Sequence, residues 1–209
     1  MRRFHANKGL DKYVTRPVPP DENGLIQRSI KGDAKAYDIL VRRYERPMLQ
    51  LGIRLTGNVD DGADIAQEAF IRGWNHLKAF RGDAMFSTWM HRIVVNVFLD
   101  HRKRHKNRVF ISLDQAIDTE ESSVQRELPD LSPGPEQLLL DSAQQIALQQ
   151  ALLSLPETQR TLMVLFHIQD RTYEEIVTIT DLPLGTVKSR LNRARLALRD
   201  RVDQNIRER

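Results

Sequence analysis

Thr172 to Arg199, TYEEIVTITDLPLGTVKSRLNRARLALR, constrains the fold most strongly, because two helical patterns stand either side of a short breaker. Thr172 with Glu175 is a capping pair: at this spacing each side chain can satisfy an orphan amide donor of the first turn. Tyr173, Ile176 and Val177 then form one apolar face. The run Asp181-Leu182-Pro183-Leu184-Gly185 stops the helix, since proline lacks an amide donor and glycine tolerates turn geometry. From near Leu184 a second helix restarts, with Leu184, Val187, Leu191, Ala194 and Leu198 at three- and four-residue steps facing inward. Lys188, Ser189, Asn192, Arg193, Arg195 and Arg199 are expected outside. This is helix-turn-helix spacing.

The outer set suits a helix in the major groove of DNA. Arginine forks match guanine edges or phosphates, asparagine matches adenine, and serine or lysine accept either. The alternative is a solvated basic face on an ordinary helical hairpin. Cap, breaker and two-sided second helix occurring together favour DNA.

Net charge over the 209 residues is only +4, but it is unevenly placed. Arg92, Arg102, Lys103, Arg104, Lys106 and Arg108 make one basic cluster and the second helix another, with Asp114, Asp118, Glu120, Glu121, Glu127, Asp130 and Glu136 between them. Two polyanion-binding modules joined by a segment that avoids or mimics nucleic acid fit this alternation. The chain has no cysteine, which excludes disulfides, thiolate zinc sites, iron-sulfur clusters and a cysteine nucleophile. No apolar run approaches the roughly 18 residues of a membrane helix, and the N-terminus lacks a signal-peptide core. A soluble protein of the reducing cytoplasm, without membrane insertion, is expected.

Residues 1–24 are basic and carry Pro17, Pro19 and Pro20, and are expected to be a flexible tail. From 25 to 108 the pattern is helical. Tyr37, Leu40, Val41 and Tyr44 share a face, Pro47 is expected to start a fresh helix continuing through Met48, Leu51 and Leu55, and Gly57-Asn58 ends it. A helix over about 61–78 is expected to bury Ala66, Phe70, Gly73, Trp74 and Leu77, leaving Asp64, Gln67, Glu68, Ile71, Arg72 and Asn75 on its other side. The next follows the loop Phe80–Phe86, capped by Ser87, and packs Met90, Ile93, Val94 and Val97. Periodicity stops near 110, and 109–135 reads as an acidic linker ending in Leu131-Ser132-Pro133-Gly134-Pro135. Over 136–206 helices resume, with Leu138, Leu139, Ile146, Leu152 and Leu153, then Leu162, Val164, Leu165 and Ile168, as apolar positions. No β-type alternation is visible. The expected fold is all-α, with two helical domains joined by a flexible acidic linker.

Asp64-Ile65-Ala66-Gln67-Glu68-Ala69-Phe70, Phe80-Arg81-Gly82-Asp83 and Thr88-Trp89-Met90-His91-Arg92-Ile93-Val94-Val95-Asn96 resemble region 2 of the extracytoplasmic-function (ECF) sigma factors, a branch of the sigma-70 family. Leu155-Pro156, Tyr173-Glu174-Glu175-Ile176 and Gly185-Thr186-Val187-Lys188-Ser189-Arg190-Leu191 resemble their region 4, nearest the sigma-E type. The likeness covers about residues 25–202 in the family's order. It implies that Asp64, Gln67, Glu68, Ile71 and Asn75 dock on bacterial core RNA polymerase. It implies that Phe80, Arg81, Gly82, Asp83, Arg92, Asn96, Arg102 and Lys103 open and hold the minus-10 element, and that Lys188, Ser189, Arg190, Asn192, Arg193 and Arg195 read the minus-35 duplex. The residue types fit. An unstacked base needs an aromatic or apolar wall, a hydrogen-bonding side chain and cations for its backbone, and Phe80, Asn96 and the arginines with Lys103 supply these. Phe86 and Trp89 are expected to be core instead. An anti-sigma factor as partner is implied by kinship alone.

Tether length fits a polymerase-bound role. The linker of about 27 residues spans roughly 90 Å fully extended and roughly 30 Å as a relaxed coil, whereas DNA elements about two turns apart lie roughly 70 Å from one another. Holding the chain so far stretched needs another body. The expected mechanism is non-catalytic, with no cofactor. His101 and His105 stand four apart, but with no third ligand inside a basic run they are not expected to hold zinc. Two rivals share the C-terminal pattern. One is a free-standing response regulator or ligand-controlled repressor, but a receiver needs alternating strands and helices around an acidic phosphorylation pocket, and the first half shows none. A serine recombinase would place its nucleophile on a strand, whereas Ser29 lies in a helical pattern.

Overall fold

The computed structural model describes the backbone of residues 19–112 and 146–207, with side chains over 19–104 and 146–201. The N-terminal tail up to residue 18, the acidic linker from residue 113 on with Leu138 and Leu139, and the side chain of His105 lie outside the described residues. Every regular element among those described is helical.

The first unit contains α1 (Glu22–Ile30), α2 (Ala34–Thr56), α3 (Val59–His76) with a 3₁₀ turn at Leu77–Ala79, and α4 (Phe86–Ser112). Asp33 caps α2 by accepting from the Ala36 amide at 3.2 Å, and Gly57, at φ 80°, closes it with its N–H on Ile53 O at 2.8 Å. Contrary to the expectation of a fresh start at Pro47, α2 runs straight through it. Tyr37, Leu40, Met48, Leu51 and Leu55 are all buried, and together with half-buried Tyr44 they form one continuous stripe across the proline. Burial on both sides of the missing hydrogen bond offsets its cost, about 3 kcal/mol in a helix interior.

Asn58 begins α3, its Oδ1 accepting from Asp60 N at 2.7 Å and Asp61 N at 3.1 Å, so the helix starts slightly before the expected position. The α2–α3 crossing is closer than side chains allow: a Cβ on Gly52 would stand 2.5 Å from Gly62 O. Of the expected core of α3, Ala66, Gly73 and Leu77 are buried, while Phe70 and Trp74 are half-buried. The Tyr37 hydroxyl donates to Phe70 O at 2.7 Å. Ser87 is not the cap of α4, because the helix begins at Phe86 and the Trp89 amide already bonds Met85 O at 3.1 Å. Phe86, Met90, Val94, Val97 and Phe98 turn inward from α4.

In the second unit, α5 covers 146–153 of the described residues, α6 (Glu157–Met163) runs into a π-helical turn at Val164–Ile168, and α7 (Tyr173–Thr180) and α8 (Leu184–Arg207) follow. The expected capping box is present: Thr172 Oγ1 accepts from Glu175 N at 3.1 Å, and Glu175 Oε2 accepts from Thr172 N at 2.9 Å. Asp181, at φ 59°, ends α7. Val187, Leu191 and Ala194 of α8 are fully buried with Leu162, Leu165, Ile176 and Ile179. Leu184, expected inside, is 40% exposed at the first position of α8. Ile146 and Ile168 are exposed too.

Candidate polymerase and nucleic-acid interfaces

Asp64, Gln67, Ile71 and Asn75 recur at three- and four-residue steps on α3 and are exposed, Ile71 by 56%. Glu68 sits among them but is held. Its Oε1 accepts from Arg72 at 2.5 Å and its Oε2 pairs with His101 Nε2 at 2.5 Å, while Arg72 also reaches Asp100 at 2.7 Å. The hydrogen bond with His101, followed by those from Arg72, keeps the Glu68 carboxyl below its ordinary range. His101 is thus engaged by a carboxylate of the α3 face. A fixed pattern of charge, amide and one aliphatic side chain suits a protein interface.

The loop after α3 brings the second expected set together. Phe80 is half-buried, edge-on to Phe86 at 5.7 Å and tilted against Trp89 at 5.3 Å. Phe86 is buried, as expected, whereas Trp89 is only half-buried. Gly82 takes a left-handed φ of 80°, and around it Arg81 and Asp83 pair at 3.1 Å, both largely exposed. Asn96 and Lys103 are exposed on α4. Arg92 and Arg102 are turned toward the second unit: Arg92 Nη1 donates to Thr178 O at 3.3 Å and Arg102 Nε to Glu157 at 3.4 Å.

On α8, Lys188, Ser189, Asn192 and Arg193 are exposed, and Arg190 is half-buried. Ser189 Oγ donates to Thr186 O at 3.1 Å, and Lys188 Nζ stands 5.6 Å from the Tyr173 ring centre. Arg195 departs from the expectation of an outside position. It lies half-buried over Phe166, 5.1 Å from the ring centre, and its Nε donates to His167 Nε2 at 3.1 Å. The aromatic pair left at the surface by the π-helical turn attracts the guanidinium.

Sequence reasoning missed a buried polar seam between the units. His91, fully buried on α4, donates Nδ1–H to Ser87 O at 2.7 Å, and its Nε2 lies 3.4 Å from Gln169 Oε1. Burial first, then the Arg171 guanidinium, pushes its imidazole down to about 4. Thr88 Oγ1 donates to Glu175 Oε1 at 3.2 Å, and Arg171 Nη1 reaches the same oxygen at 2.8 Å. Burial alone would raise the Glu175 carboxyl, but hydrogen bonds from the Thr172 amide, Arg171 and Thr88 outweigh it and hold the group low. Arg160, also buried, donates to Leu55 O at 2.6 Å and so satisfies an orphan carbonyl at the end of α2. Charged residues next to apolar runs were the available signal. Nothing in their spacing reveals a partner so distant in the chain.

The face of α3, the loop-α4 surface and the outer side of α8 are thus three separate surfaces of polar and charged side chains. Residues 40–108 match the family model for sigma-70 region 2, and 145–198 that for sigma-70 region 4. The chain is 35% identical over 184 residues to the RNA polymerase sigma-H factor of Pseudomonas aeruginosa, covering 88% of this chain and 95% of that protein. It is 37% identical over 183 residues to the ECF RNA polymerase sigma-E factor of Escherichia coli K12, with the same coverage of 88% and 95%. In fold it is similar to the sigma factor RpoE of Bartonella quintana, solved with the anti-sigma factor NepR: TM-score 0.61 and 21% identity over 81% of this chain and 98% of that one. It is also similar to CnrH, solved with the cytosolic domain of CnrY: TM-score 0.61 and 22% identity over 88% and 97%. The chain belongs to the sigma-70 family of RNA polymerase sigma factors, in its ECF branch.

Proposed function

We propose that this ECF sigma factor docks on core RNA polymerase through Asp64, Gln67, Glu68, Ile71 and Asn75, while its two helical units contact separate promoter elements. Lys188, Ser189, Asn192 and Arg193 reach base edges and phosphates of the minus-35 duplex, with Arg190 beside them. Arg195, held on Phe166, braces the reading helix and offers its remaining N–H groups to the backbone. At the minus-10 element Phe80 and Asn96 hold an unstacked base, and Arg81, Gly82, Asp83, Arg92, Arg102 and Lys103 shape the loop and bind the strand. The observation that carries this reading is that the outward faces of α3 and α8 are polar and exposed while their inner faces are buried core. Such surfaces are preorganised for docking.

The subunit is non-catalytic. Binding to polymerase and phosphates offsets the few kcal/mol needed to unstack a base, and the polymerase makes the bonds. No helix among the described residues is long and apolar enough to cross a membrane, and action beside polymerase places the protein in the cytoplasm. An anti-sigma factor covering the open α3 face is the fitting negative partner.

Transcription from the source organism's genomic DNA by core enzyme plus this protein tests the reading. Discrete start sites are expected. Arg193→Ala should weaken use of the duplex element about tenfold, in line with the cost of losing one base contact. Asn96→Ala should lower opening, read by permanganate reactivity, with duplex binding retained. If no start site depends on the protein, the reading is wrong.

A further inference from the structure

We infer that Phe166, His167 and Tyr173 form an aromatic platform that positions Lys188 and Arg195 as a pair of phosphate clamps beside the bases read by α8. The inference rests on the reading above that α8 lies on the minus-35 duplex, and it adds positioning residues that do not themselves touch DNA.

The platform starts at the π-helical turn Val164–Ile168, where the Gln169 amide bonds Val164 O, five residues back, at 2.9 Å. Half-buried Phe166 and exposed His167 stand side by side on this turn. Phe166 meets His167 edge-on and Tyr173, the first residue of α7, at a 34° tilt, both at 4.9 Å between ring centres. Two cations of α8 lie against the row of rings. The Arg195 guanidinium carbon is 5.1 Å from the centre of Phe166, and Lys188 Nζ is 5.6 Å from the centre of Tyr173. Both distances are within reach of cation–π attraction.

Lys188 and Arg195 stand seven residues apart, so they share one flank of α8 about 10 Å from each other along its axis. Exposed Asn192 falls between them. A ring face attracts a cation without cancelling its charge, whereas a carboxylate in the same place would also repel a phosphate. Arg72 and Arg171 have the second kind of partner, Glu68 and Glu175. His167 adds direction: Arg195 Nε–H donates to its Nε2 at 3.1 Å, which requires a neutral imidazole with its proton on Nδ1. With Nε engaged and one face on a ring, the two Nη groups are left to fork onto a phosphate. Side-chain freedom that a loose arginine would lose on binding is already given up.

The test uses the full-length protein with core polymerase on a promoter fragment mapped by transcription, and reads affinity for DNA against salt concentration. Arg195→Ala should lower the slope of log affinity against log salt by about 1, the signature of one phosphate contact. Phe166→Leu keeps an apolar side chain but no ring face, and should weaken binding about two- to fivefold, the equivalent of one exposed cation–π contact. Phe166→Tyr should restore wild-type affinity. Phe166→Leu added to Arg195→Ala should cost nothing further, because the ring acts through the arginine. At the other end, Tyr173→Leu should weaken binding, Tyr173→Phe should not, and Lys188→Ala should absorb the difference. If circular dichroism shows lost helicity in Phe166→Leu, His167→Ala at its exposed position decides. It should weaken binding only while Arg195 is present, and His167→Gln, which keeps an acceptor, should restore it. Losses that add to that of Arg195→Ala, or wild-type affinity in both Phe166→Leu and His167→Ala, overturn the platform and leave the promoter reading standing. If no start site depends on the protein, the promoter reading falls and takes the platform with it.

Discussion

His91 makes the seam sensitive to pH because its imidazole is fully buried beside Arg171, with Gln169 and Glu175 as the other groups facing it. Its pKa is about 4 in the folded chain against an ordinary 6.5, so any state that exposes it takes up a proton more readily. Above about pH 6.5 both states are neutral and the seam keeps its full stability. As pH falls toward 4 stability is lost progressively, by about 3 kcal/mol in all, and the loss levels off below that. The Glu68 and Glu175 carboxyls sit below their ordinary 4.5, so their own losses come at lower pH. Thermal unfolding of the full chain is expected at a clearly lower temperature at pH 5 than at pH 7. His91→Gln should flatten the profile between those values, and an unchanged profile in that variant would assign the dependence to another group. In the sequence His91 is one residue of the run Thr88 to Asn96, with no neighbour that marks it. Its partners, Gln169 at a separation of 78 residues and Arg171 beyond it, are brought close by the docking of one unit on the other.

At the scale of elements, most helices were legible because local signals agree. Thr172 with Glu175, the breaker at Asp181–Gly185 and the periodic Val187, Leu191 and Ala194 all point to the same hairpin, which the structure contains. The misreadings have local causes. Pro47 is a strong breaker by itself, and only the stripe from Tyr37 to Leu55 passing through it in register reveals a continuous α2. Arg195 belongs to the outward arc of α8 by spacing, but a π-helical turn before α7 puts Phe166 and His167 beneath it. Periodicity carries no sign of that turn. Because the capping box both starts α7 and orients Glu175 toward Thr88, Thr172→Ala should destabilise the C-terminal unit by about 1 kcal/mol. It should also loosen the seam. Urea unfolding of wild type and variant measures the first effect, and an unchanged midpoint would mean that α7 is set by packing alone.

The described residues form two helical units whose outer faces are proposed to serve different partners and whose mutual contact uses Arg92 and Arg102, two of the side chains proposed for DNA. The helices could be read from sequence; the seam could not, because Thr88 and Glu175 stand 87 residues apart and neither belongs to a pattern that names the other. In the proposed function, the protein reads a promoter only when polymerase supplies the rigid span between its units. Footprinting on a promoter mapped by transcription tests that claim most directly. Core enzyme with this protein should protect two segments about two helical turns apart, with permanganate-reactive thymines in the downstream one, while the protein alone at the same concentration should protect neither. Equal protection of both segments, as tight and as selective, by the protein without polymerase would contradict the account.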